Sequence, residues 1–348
     1  MGSRQRYSTI PLPNHSRSVS GCLPFHLQTN KLMKQIFSTF FLAVTCILVL
    51  LICHSALATT NEPMNSLVDS EGTTIHFNKP FTRIISLYPA HTSNLIYLGL
   101  EKQIVAVGSG DARLVQRPQV RFQDDPERLL ALKPDLVLIR PMISRAYPNL
   151  VNILEKNGVR VVSLQPTSLD DLFHYWRALA ALGGVEARAE KMIATFKEGL
   201  ANLREELASL PMEKRKQVYF ESIHRQMKTF SPDSIAIFAL ETAGGINVAA
   251  DAEQVRNTNI ATYGKERILA KAHEIDIYLA QNGRMNPVSV ADIVREPGFE
   301  VIKAVRQNQV FLVDEAMVSR PTMDLLQGIA FIRSLLYPDF AQEGLAWQ

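Results

Sequence analysis

Four arginines at the ends of predicted strands are the residues of this sequence best suited to bind a ligand. Arg140, Arg225, Arg284 and Arg320 each follow an apolar segment, and Lys228 lies close behind Arg225. In open α/β sheets, ligands bind beyond the carboxyl ends of the strands. Guanidinium groups form paired hydrogen bonds with carboxylate, phosphate or catecholate oxygens. The pattern predicts a cleft for an anionic ligand; arginines that pair with acidic residues or face solvent are the alternative.

A second set of polar and sulfur-containing side chains also follows the predicted strands. Thr92 is predicted to cap the helix after the first strand, whose free N–H groups suit an anion. Methionine beside a cleft is more often an adaptable apolar wall than a metal ligand, but histidine and methionine together leave ligation of haem or cobalt open. No cluster of His, Cys and Asp has metal-ligand spacing, so we expect neither a bare-metal site nor a bound cofactor. The set comprises Tyr88, His91, Thr92, Met142, His224 and Met317.

Motifs for enzyme catalysis are weak in this sequence. Gly108-Ser109-Gly110 lacks the G-x-S-x-G pattern of a nucleophile elbow. Gly244-Gly245 fits neither a phosphate loop nor a dinucleotide fingerprint. We therefore predict no catalytic residues and a binding protein. A secreted α/β hydrolase or an envelope chelatase is the alternative class, which ester turnover or metal insertion into a porphyrin would reveal.

Short apolar segments alternate with helical patterns from Arg83 onward, which is typical of βαβ units and parallel sheets. The chain falls into two halves with four predicted strands each, in similar order. We expect an α/β fold with two Rossmann-like lobes joined by a single long linker helix. The predicted strands are Ile84–Leu87, Ile104–Val107, Leu136–Ile139, Arg160–Leu164, Gln217–Glu221, Ile246–Val248, Ile277–Ala280 and Gln309–Val313.

One sequence unit occurs in both halves. "DPERLLALKPDLVLI" (125–139) and "KERILAKAHEIDIYLA" (265–280) share a Glu-Arg pair, a Leu/Ile-Leu-Ala segment and an apolar run with an acidic residue near its start. Each unit ends with the third predicted strand of its half. The repeat is therefore best explained by two lobes of similar construction.

A long helical pattern separates the two halves. Ser168 is predicted to cap a first helix, with Asp171 completing a capping box and Gly183-Gly184 ending the helix. A second helix is predicted to run to Leu210 before Pro211, about 40 Å long and able to brace two lobes. The predicted boundaries are a leader or misassigned start (1–32), a signal peptide (33–58), a first lobe (59–182), the linker helix (183–211) and a second lobe (212–348).

The N-terminal region has the layout of a secretory signal peptide. A charged start at Met33-Lys34 precedes an apolar run, and Ala56-Leu57-Ala58 offers a cleavage site after Ala58. An uncleaved membrane anchor is the alternative, because the apolar run is long for a signal core. Of the 37 basic residues, five lie within the first 58, which leaves 32 against 34 acidic residues. The exported chain would then have no cysteine and no global basic field, so we expect no nucleic-acid partner.

The lobes, the linker helix and the signal peptide together resemble the substrate-binding proteins of ABC importers for ferric siderophores, haem and cobalamin. The resemblance covers nearly all of residues 75–338, and its most specific segments are Arg83–Gly99, Glu127–Ile139 and Glu266–Ala280. It implies a periplasmic or extracytoplasmic monomer whose partners are a small-molecule ligand and an ABC importer permease. An iron(III)–siderophore or another anionic metal chelate is the expected ligand, with cobalamin, a related corrinoid, or haem as alternatives.

The resemblance also implies a role for one glutamate in each repeated unit. In the family, an acidic residue that opens a helix in each lobe docks onto arginines of the permease, and by position these residues are Glu127 and Glu266. Asp125-Pro126-Glu127 is independently a good helix start, with Asp as cap and Pro at the first position. A favourable interaction with the helix dipole is therefore the alternative role of Glu127.

Overall fold

The computed structural model describes residues 65–111, 113–256 and 258–338. The predicted leader (1–32) and signal peptide (33–58) lie outside the described residues. Within the described ranges, no helix combines the length and the apolar character that crossing a bilayer requires.

The first lobe is built on a parallel sheet preceded by a small hairpin. Its strand order is β5-β4-β3-β6-β7, so the first strand of the sheet, β3, lies at the centre and the connections cross over from it in both directions. The four strands predicted for this half are confirmed, and the hairpin and β5 are additions. The strands are β1 (Asn65–Val68), β2 (Thr74–Phe77), β3 (Ile84–Ser86), β4 (Ile104–Gly108), β5 (Gln119–Val120), β6 (Leu136–Ile139) and β7 (Arg160–Ser163).

The second lobe has a mixed sheet of seven strands in the order β11-β12-β9-β8-β13-β14, with β10 pairing with β8. Its parallel part consists of β10, β8, β13 and β14, which correspond to the four predicted strands. The antiparallel strands β9, β12 and β11 extend one edge and were not predicted. The strands are β8 (Gln217–Ile223), β9 (Lys228–Phe230), β10 (Ile246–Asn247), β11 (Glu253–Gln254), β12 (Ile260–Thr262), β13 (Ile277–Asn282) and β14 (Val310–Asp314).

Helices cover both sheets. In the first half they are α1 (Pro89–Tyr97), α2 (Pro126–Leu130), α3 (Pro141–Ala146), α4 (Pro148–Lys156), α5 (Leu169–Gly183) and α6 (Glu186–Glu206). In the second half they are α7 (Ile235–Thr242), α8 (Lys265–Ala270), α9 (Val290–Val294), α10 (Lys303–Arg306), α11 (Glu315–Val318) and α12 (Leu325–Leu336).

In sequence order, helices α5 and α6 come after the strands of the first sheet and before those of the second. Ser168 caps α5 by accepting the N–H of Asp171, and Gly184 ends it in the left-handed conformation, as the sequence predicts. The Asp171 carboxylate, however, accepts from Thr167 rather than from Ser168. Helix α6 ends at Glu206, four residues before the predicted end, because the chain turns there and buries Leu207 and Leu210 in the core. Its 21 residues span about 31 Å.

One hydrophobic core extends through both lobes. It contains the inner-facing residues of both sheets and is centred on α5 and α6, where Trp176 and Phe196 are fully buried with their rings edge to face. Gly199 of α6 lies against Leu326 of α12, and a Cβ at that position would approach the Leu326 side chain to 2.7 Å. Two smaller cores fill the outer faces of the two sheets.

The repeated unit occupies the same place in each lobe. Helix α2 leads into β6, which pairs with the first strand β3, and α8 leads into β13, which pairs with the first strand β8. The predicted equivalence of the two units is thus visible in strand pairing as well as in sequence.

Candidate functional site

A cleft of about 1150 Å³ lies between the two lobes at the carboxyl ends of the parallel strands. Its volume slightly exceeds the usual range for small-molecule sites, about 300–1000 Å³. Of the predicted ligand-binding residues, five line this cleft. They are Tyr88, Arg140, Met142, Arg284 and Arg320.

Arginines reach the cleft from both lobes. Arg121 and Arg140 belong to the first lobe, and Arg284 and Arg320 belong to the second. The cleft-lining acidic residues are Asp124 and Glu315, so the described lining carries four guanidinium groups against two carboxylates. One of these carboxylates is already committed, because Asp124 pairs with Arg128 outside the cleft at 3.2 Å. The cleft therefore has a net positive charge in a chain that is close to neutral.

Arg140 and Tyr88 form the first-lobe wall. The Arg140 guanidinium carbon lies 4.3 Å from the centre of the Tyr88 ring, within the range of a cation–π contact. Burial raises the pKa of the Tyr88 hydroxyl, although the positive charges of Arg140 and Arg320 act in the opposite direction. Tyr88 therefore stays protonated at neutral pH, and its hydroxyl can donate a hydrogen bond.

Arg320 and Glu315 form the second-lobe wall. Nη2 of Arg320 lies 3.7 Å from Oε1 of Glu315, a loose ion pair. The Nε atoms of both Arg320 and Arg140 are buried and have no hydrogen-bond partner in the described structure. Unsatisfied buried donors are costly. Both guanidinium groups also line the cleft, so their N–H groups can donate to an anionic ligand there.

Arg284 bridges the cleft. Its Nη1 donates a hydrogen bond of 2.8 Å to the carbonyl oxygen of Ser109 in the opposite lobe. Gly110 makes room for this contact, because a Cβ there would lie 2.9 Å from the same Nη1 atom. Arg284 is thus both a cleft-lining cation and a contact between the lobes.

The prediction that His91 and Thr92 face the ligand is wrong. His91 is fully buried, with Nδ1 2.6 Å from the Tyr175 hydroxyl and Nε2 3.0 Å from the Ile139 carbonyl. Burial lowers the pKa of His91 to about 3, so the ring is neutral; Nε2 carries the proton because a carbonyl oxygen only accepts. Thr92 is also buried and donates to Ser86 at 2.8 Å. It caps nothing, since α1 begins earlier, at Pro89.

Four other predicted residues lie outside the cleft lining. His224 hydrogen-bonds to the buried carboxylate of Glu221 at 2.8 Å. Arg225 is exposed on the turn after β8, and Lys228 begins the antiparallel strand β9, which directs the chain away from the parallel strand ends. Met317 packs against the shared core from α11. The predicted site was therefore wrong at these four positions. A position after a strand does not by itself orient a side chain towards the cleft.

The cleft also includes residues outside the predicted ligand-binding set. Arg121, Phe122, Gln123 and Asp124 directly follow β5, a strand of only two residues. The strand-end rule that selected Arg140 would have selected them had β5 been recognised. The remaining additional lining residues are Leu87, Pro89, Gly108, Ser109, Val120, Gln165, Phe230, Thr258, Asn259, Ile260, Met285, Glu315 and Ser319.

The predicted docking glutamates occupy equivalent positions in their helices. Glu127 and Glu266 are exposed, and each is the second residue of its helix, α2 or α8. The arginine that follows each one is engaged elsewhere: Nη2 of Arg128 donates to the Gln119 carbonyl and Nη2 of Arg267 to the Asp251 carbonyl, both at 3.1 Å. No ion pair of either glutamate is found among the described residues.

Two α/β lobes that share a core and face each other across a ligand-sized cleft define a two-lobed solute-binding protein. Residues 84–317 match the family model described as "Periplasmic binding protein", and the chain belongs to that family. The resemblance to substrate-binding proteins of ABC importers is thereby confirmed. Within the described residues, no group of three or more His, Cys, Asp or Glu side chains is arranged to hold a metal ion.

Individual relatives agree with this family. The uncharacterized ABC transporter substrate-binding lipoprotein YvrC of Bacillus subtilis is 24% identical over 281 residues, which cover 79% of this chain and 86% of the relative. The vitamin B12-binding protein of Vibrio cholerae is 24% identical over 262 residues, or 72% and 88% of the two chains. A possible iron-binding periplasmic solute-binding protein from Staphylococcus epidermidis shares the fold, with a TM-score of 0.64, 24% identity, and coverage of 74% of this chain and 100% of that one.

Proposed function

We propose that this protein binds an anionic metal chelate of the iron(III)–siderophore type in its cleft and delivers it to the permease of an ABC importer. The observation that carries the proposal is the set of four arginines that reach the cleft from both lobes, two of which have a buried Nε without a partner. The protein acts as a carrier and catalyses no reaction. It works outside the cytoplasm, as its family does, after removal of the predicted signal peptide behind Ala58.

The energetics of such a site are sufficient for tight binding. Micromolar affinity corresponds to about −8 kcal/mol. A charge-assisted hydrogen bond contributes about 1.5–3 kcal/mol, so three or four guanidinium contacts supply much of the total before association costs are subtracted. Carboxylate, hydroxamate and catecholate oxygens are matched to the planar fork of arginine. The cavity volume of about 1150 Å³ accommodates a chelate larger than a free oxyanion.

Delivery requires contact with the permease, and we assign this to Glu127 and Glu266. Both carboxylates are exposed at helix starts in the two halves of the repeat. The neighbouring Arg128 and Arg267 side chains are directed to backbone carbonyls. They therefore do not pair with the carboxylates of Glu127 and Glu266. Charge-assisted pairs with arginines of the permease fit this arrangement.

Calorimetric titration with the iron(III) complexes of tris-catechol, hydroxamate and citrate chelators tests the ligand proposal. Arg320→Ala should weaken the binding of the anionic complexes more than about tenfold, because it removes a charge-assisted contact of about 1.5–3 kcal/mol. High salt should weaken binding as well. Arg225→Ala is the matched control: it removes the same side chain from the same lobe outside the cleft, and the affinity should not change.

A corrinoid is the second candidate ligand. It is favoured by the relative named as a vitamin B12-binding protein and by the aromatic cleft residues Tyr88 and Phe122. Cobalamin titrated in parallel separates the two proposals. Tight, salt-insensitive binding of cobalamin without a response to any anionic chelate would reject the arginine argument and establish the corrinoid.

A further inference from the structure

Asn286 anchors the loop that carries Arg284 into the cleft. The Asn286 side chain is 2% exposed. Its Oδ1 accepts the backbone N–H of His224 at 2.8 Å, and its Nδ2 donates to the Gln281 carbonyl at 2.9 Å. Its own carbonyl accepts the N–H of Gly283 at 3.3 Å. These bonds tie the end of the loop to the carboxyl ends of β8 and β13.

A buried carboxylate lies behind this anchor. Glu221 on β8 is fully buried and accepts hydrogen bonds from Nδ1 of His224 at 2.8 Å, from the Tyr278 hydroxyl, and from Nδ2 of Asn286 at 3.4 Å. A buried carboxylate is tolerated only when donors satisfy it. Glu221, His224 and Asn286 therefore form a unit in which each member depends on the others, although none of the three lines the cleft.

The other side of the loop is fixed by Glu315. Its Oε2 accepts the backbone N–H of Met285 at 3.2 Å. Gly283 permits this approach, because a Cβ there would lie 2.4 Å from the same oxygen. Held from both sides, residues 283–286 direct Arg284 across the cleft to the Ser109 carbonyl at 2.8 Å.

We infer that Asn286 is a positioning residue for the ligand site: supported by Glu221 and His224, it fixes the loop that places the Arg284 guanidinium in the cleft. This inference rests on the proposed function in one respect, namely that the cleft is where the ligand binds. It predicts that affinity depends on a side chain that touches no ligand, and that this dependence passes through Arg284.

Amide hydrogen exchange of the ligand-free protein tests the anchoring directly. In Asn286→Ala, the Met285 amide should exchange at least about tenfold faster than in the unmodified protein, because losing three side-chain hydrogen bonds lowers the local opening free energy by more than about 1.4 kcal/mol. Asn247→Ala is the control, since Asn247 is also buried in this lobe and its Oδ1 accepts the Ala249 N–H at 3.0 Å, away from the loop. If Asn286→Ala does not fold, Asn286→Ser keeps a small polar group for the same measurement. Unchanged exchange at Met285 in the folded variant would overturn the inference.

A double-mutant cycle tests whether the effect passes through Arg284. The probe is the iron(III) tris-catechol complex, titrated into Asn286→Ala, Arg284→Ala and the double variant. Asn286→Ala should weaken binding about tenfold alone and by less than about twofold in the Arg284→Ala background. Equal losses in both backgrounds would reject positioning through Arg284. If the unmodified protein does not bind the probe, the proposed function fails at that point, and the exchange measurement still decides whether Asn286 anchors the loop.

Discussion

Two histidines that follow the first strands of their lobes have opposite chemistry. His91 is enclosed by Tyr175 and Ile139, and burial lowers its pKa to about 3. His224 has the Glu221 carboxylate at 2.8 Å, and this hydrogen bond raises its pKa. The first is a neutral core residue, and the second is a cation at mildly acidic pH. The similar sequence positions of His91 and His224 therefore do not predict which of the two rings carries a charge.

His224 should make the stability of the protein depend on pH. Glu221 of β8, Glu296 at 3.9 Å and Asp292 of α9 face its ring and all favour the imidazolium. Because the pKa is raised in the folded state, this stabilisation is complete below the unfolded value of about 6.5 and is lost as the pH rises through the folded value. Urea unfolding between pH 6 and pH 9 should show a decline in the free energy of unfolding that His224→Gln lacks. If the free energy of unfolding varied with pH in the same way in the unmodified protein and in His224→Gln, His224 would not be the source of the pH dependence.

At the scale of secondary-structure elements, the repeated unit holds neighbouring strands in register. Asp135 accepts the backbone N–H of Arg83 at 2.8 Å and donates its own N–H to the Arg83 carbonyl at 2.9 Å. Asp276 forms the same pair of bonds with Gln217, both at 2.9 Å. The acidic residue that the two copies share therefore joins the start of the third predicted strand to the start of the first, in each lobe.

Removing either aspartate should destabilise the fold. Asp135→Ala and Asp276→Ala each leave a backbone N–H without its acceptor, which costs about 1–3 kcal/mol. Denaturant unfolding should show this loss in both variants. Asp233→Ala, at an exposed position, serves as control and should stay within about 0.5 kcal/mol of the unmodified protein. If the two repeat variants behaved like the control, the shared aspartates would have no structural role.

The proposed docking role of Glu127 and Glu266 leads to a separate prediction about helices α2 and α8. Glu127→Gln with Glu266→Gln keeps side-chain size but removes the charges that a permease arginine would pair with. Ligand affinity should stay unchanged, because neither residue lines the cleft, while uptake of labelled ligand by cells carrying only the variant should fall sharply. Glu186→Gln, at the exposed start of α6, is the control. Normal uptake by the double variant would reject the docking role. The glutamates would then serve only to interact favourably with the helix dipole.

At the scale of the whole molecule, the lobes are joined by more than helices α5 and α6, which lie between the two sheets in the chain. They share one hydrophobic core around Trp176. The Pro321 carbonyl of the second lobe accepts from Asn94 Nδ2 at 2.8 Å and from Trp176 Nε1 at 3.3 Å. Asp324 accepts from the Tyr97 hydroxyl at 2.6 Å and pairs with Arg113. Opening the cleft widely would break these bonds and expose packed apolar surface.

Ligand binding should therefore change the shape of the molecule very little. The backbone of preorganised binding sites moves by about 1 Å or less, so the radius of gyration with and without ligand should agree within about 1 Å. Small-angle scattering on the protein with and without a saturating chelate measures this. Asp324→Ala removes the partner of both Tyr97 and Arg113 and should increase any difference. A compaction of several ångströms in the unmodified protein would show that the lobes move as separate bodies.

The fold class and most of its elements follow from local patterns in the sequence. The central parallel strands β3, β6 and β13 are buried on both faces and therefore appear as apolar runs, which made them recognisable. Helix starts were equally local, because the caps Ser168 and Asp125 bond to N–H groups within three residues. The strands β5, β9, β11 and β12 carry no such pattern, because each has only two or three residues.

Which strand-end residues face the cleft depends on the three-dimensional packing of the chain. Arg140, Arg284 and Arg320 line it and Arg225 does not, although all four follow predicted strands. The outcome depends on partners far away in the chain: Tyr175 lies 84 residues from His91, and Ser109 lies 175 residues from Arg284. Side-chain direction after a strand is set by which distant group satisfies it, and a pattern of neighbouring residues does not contain that information.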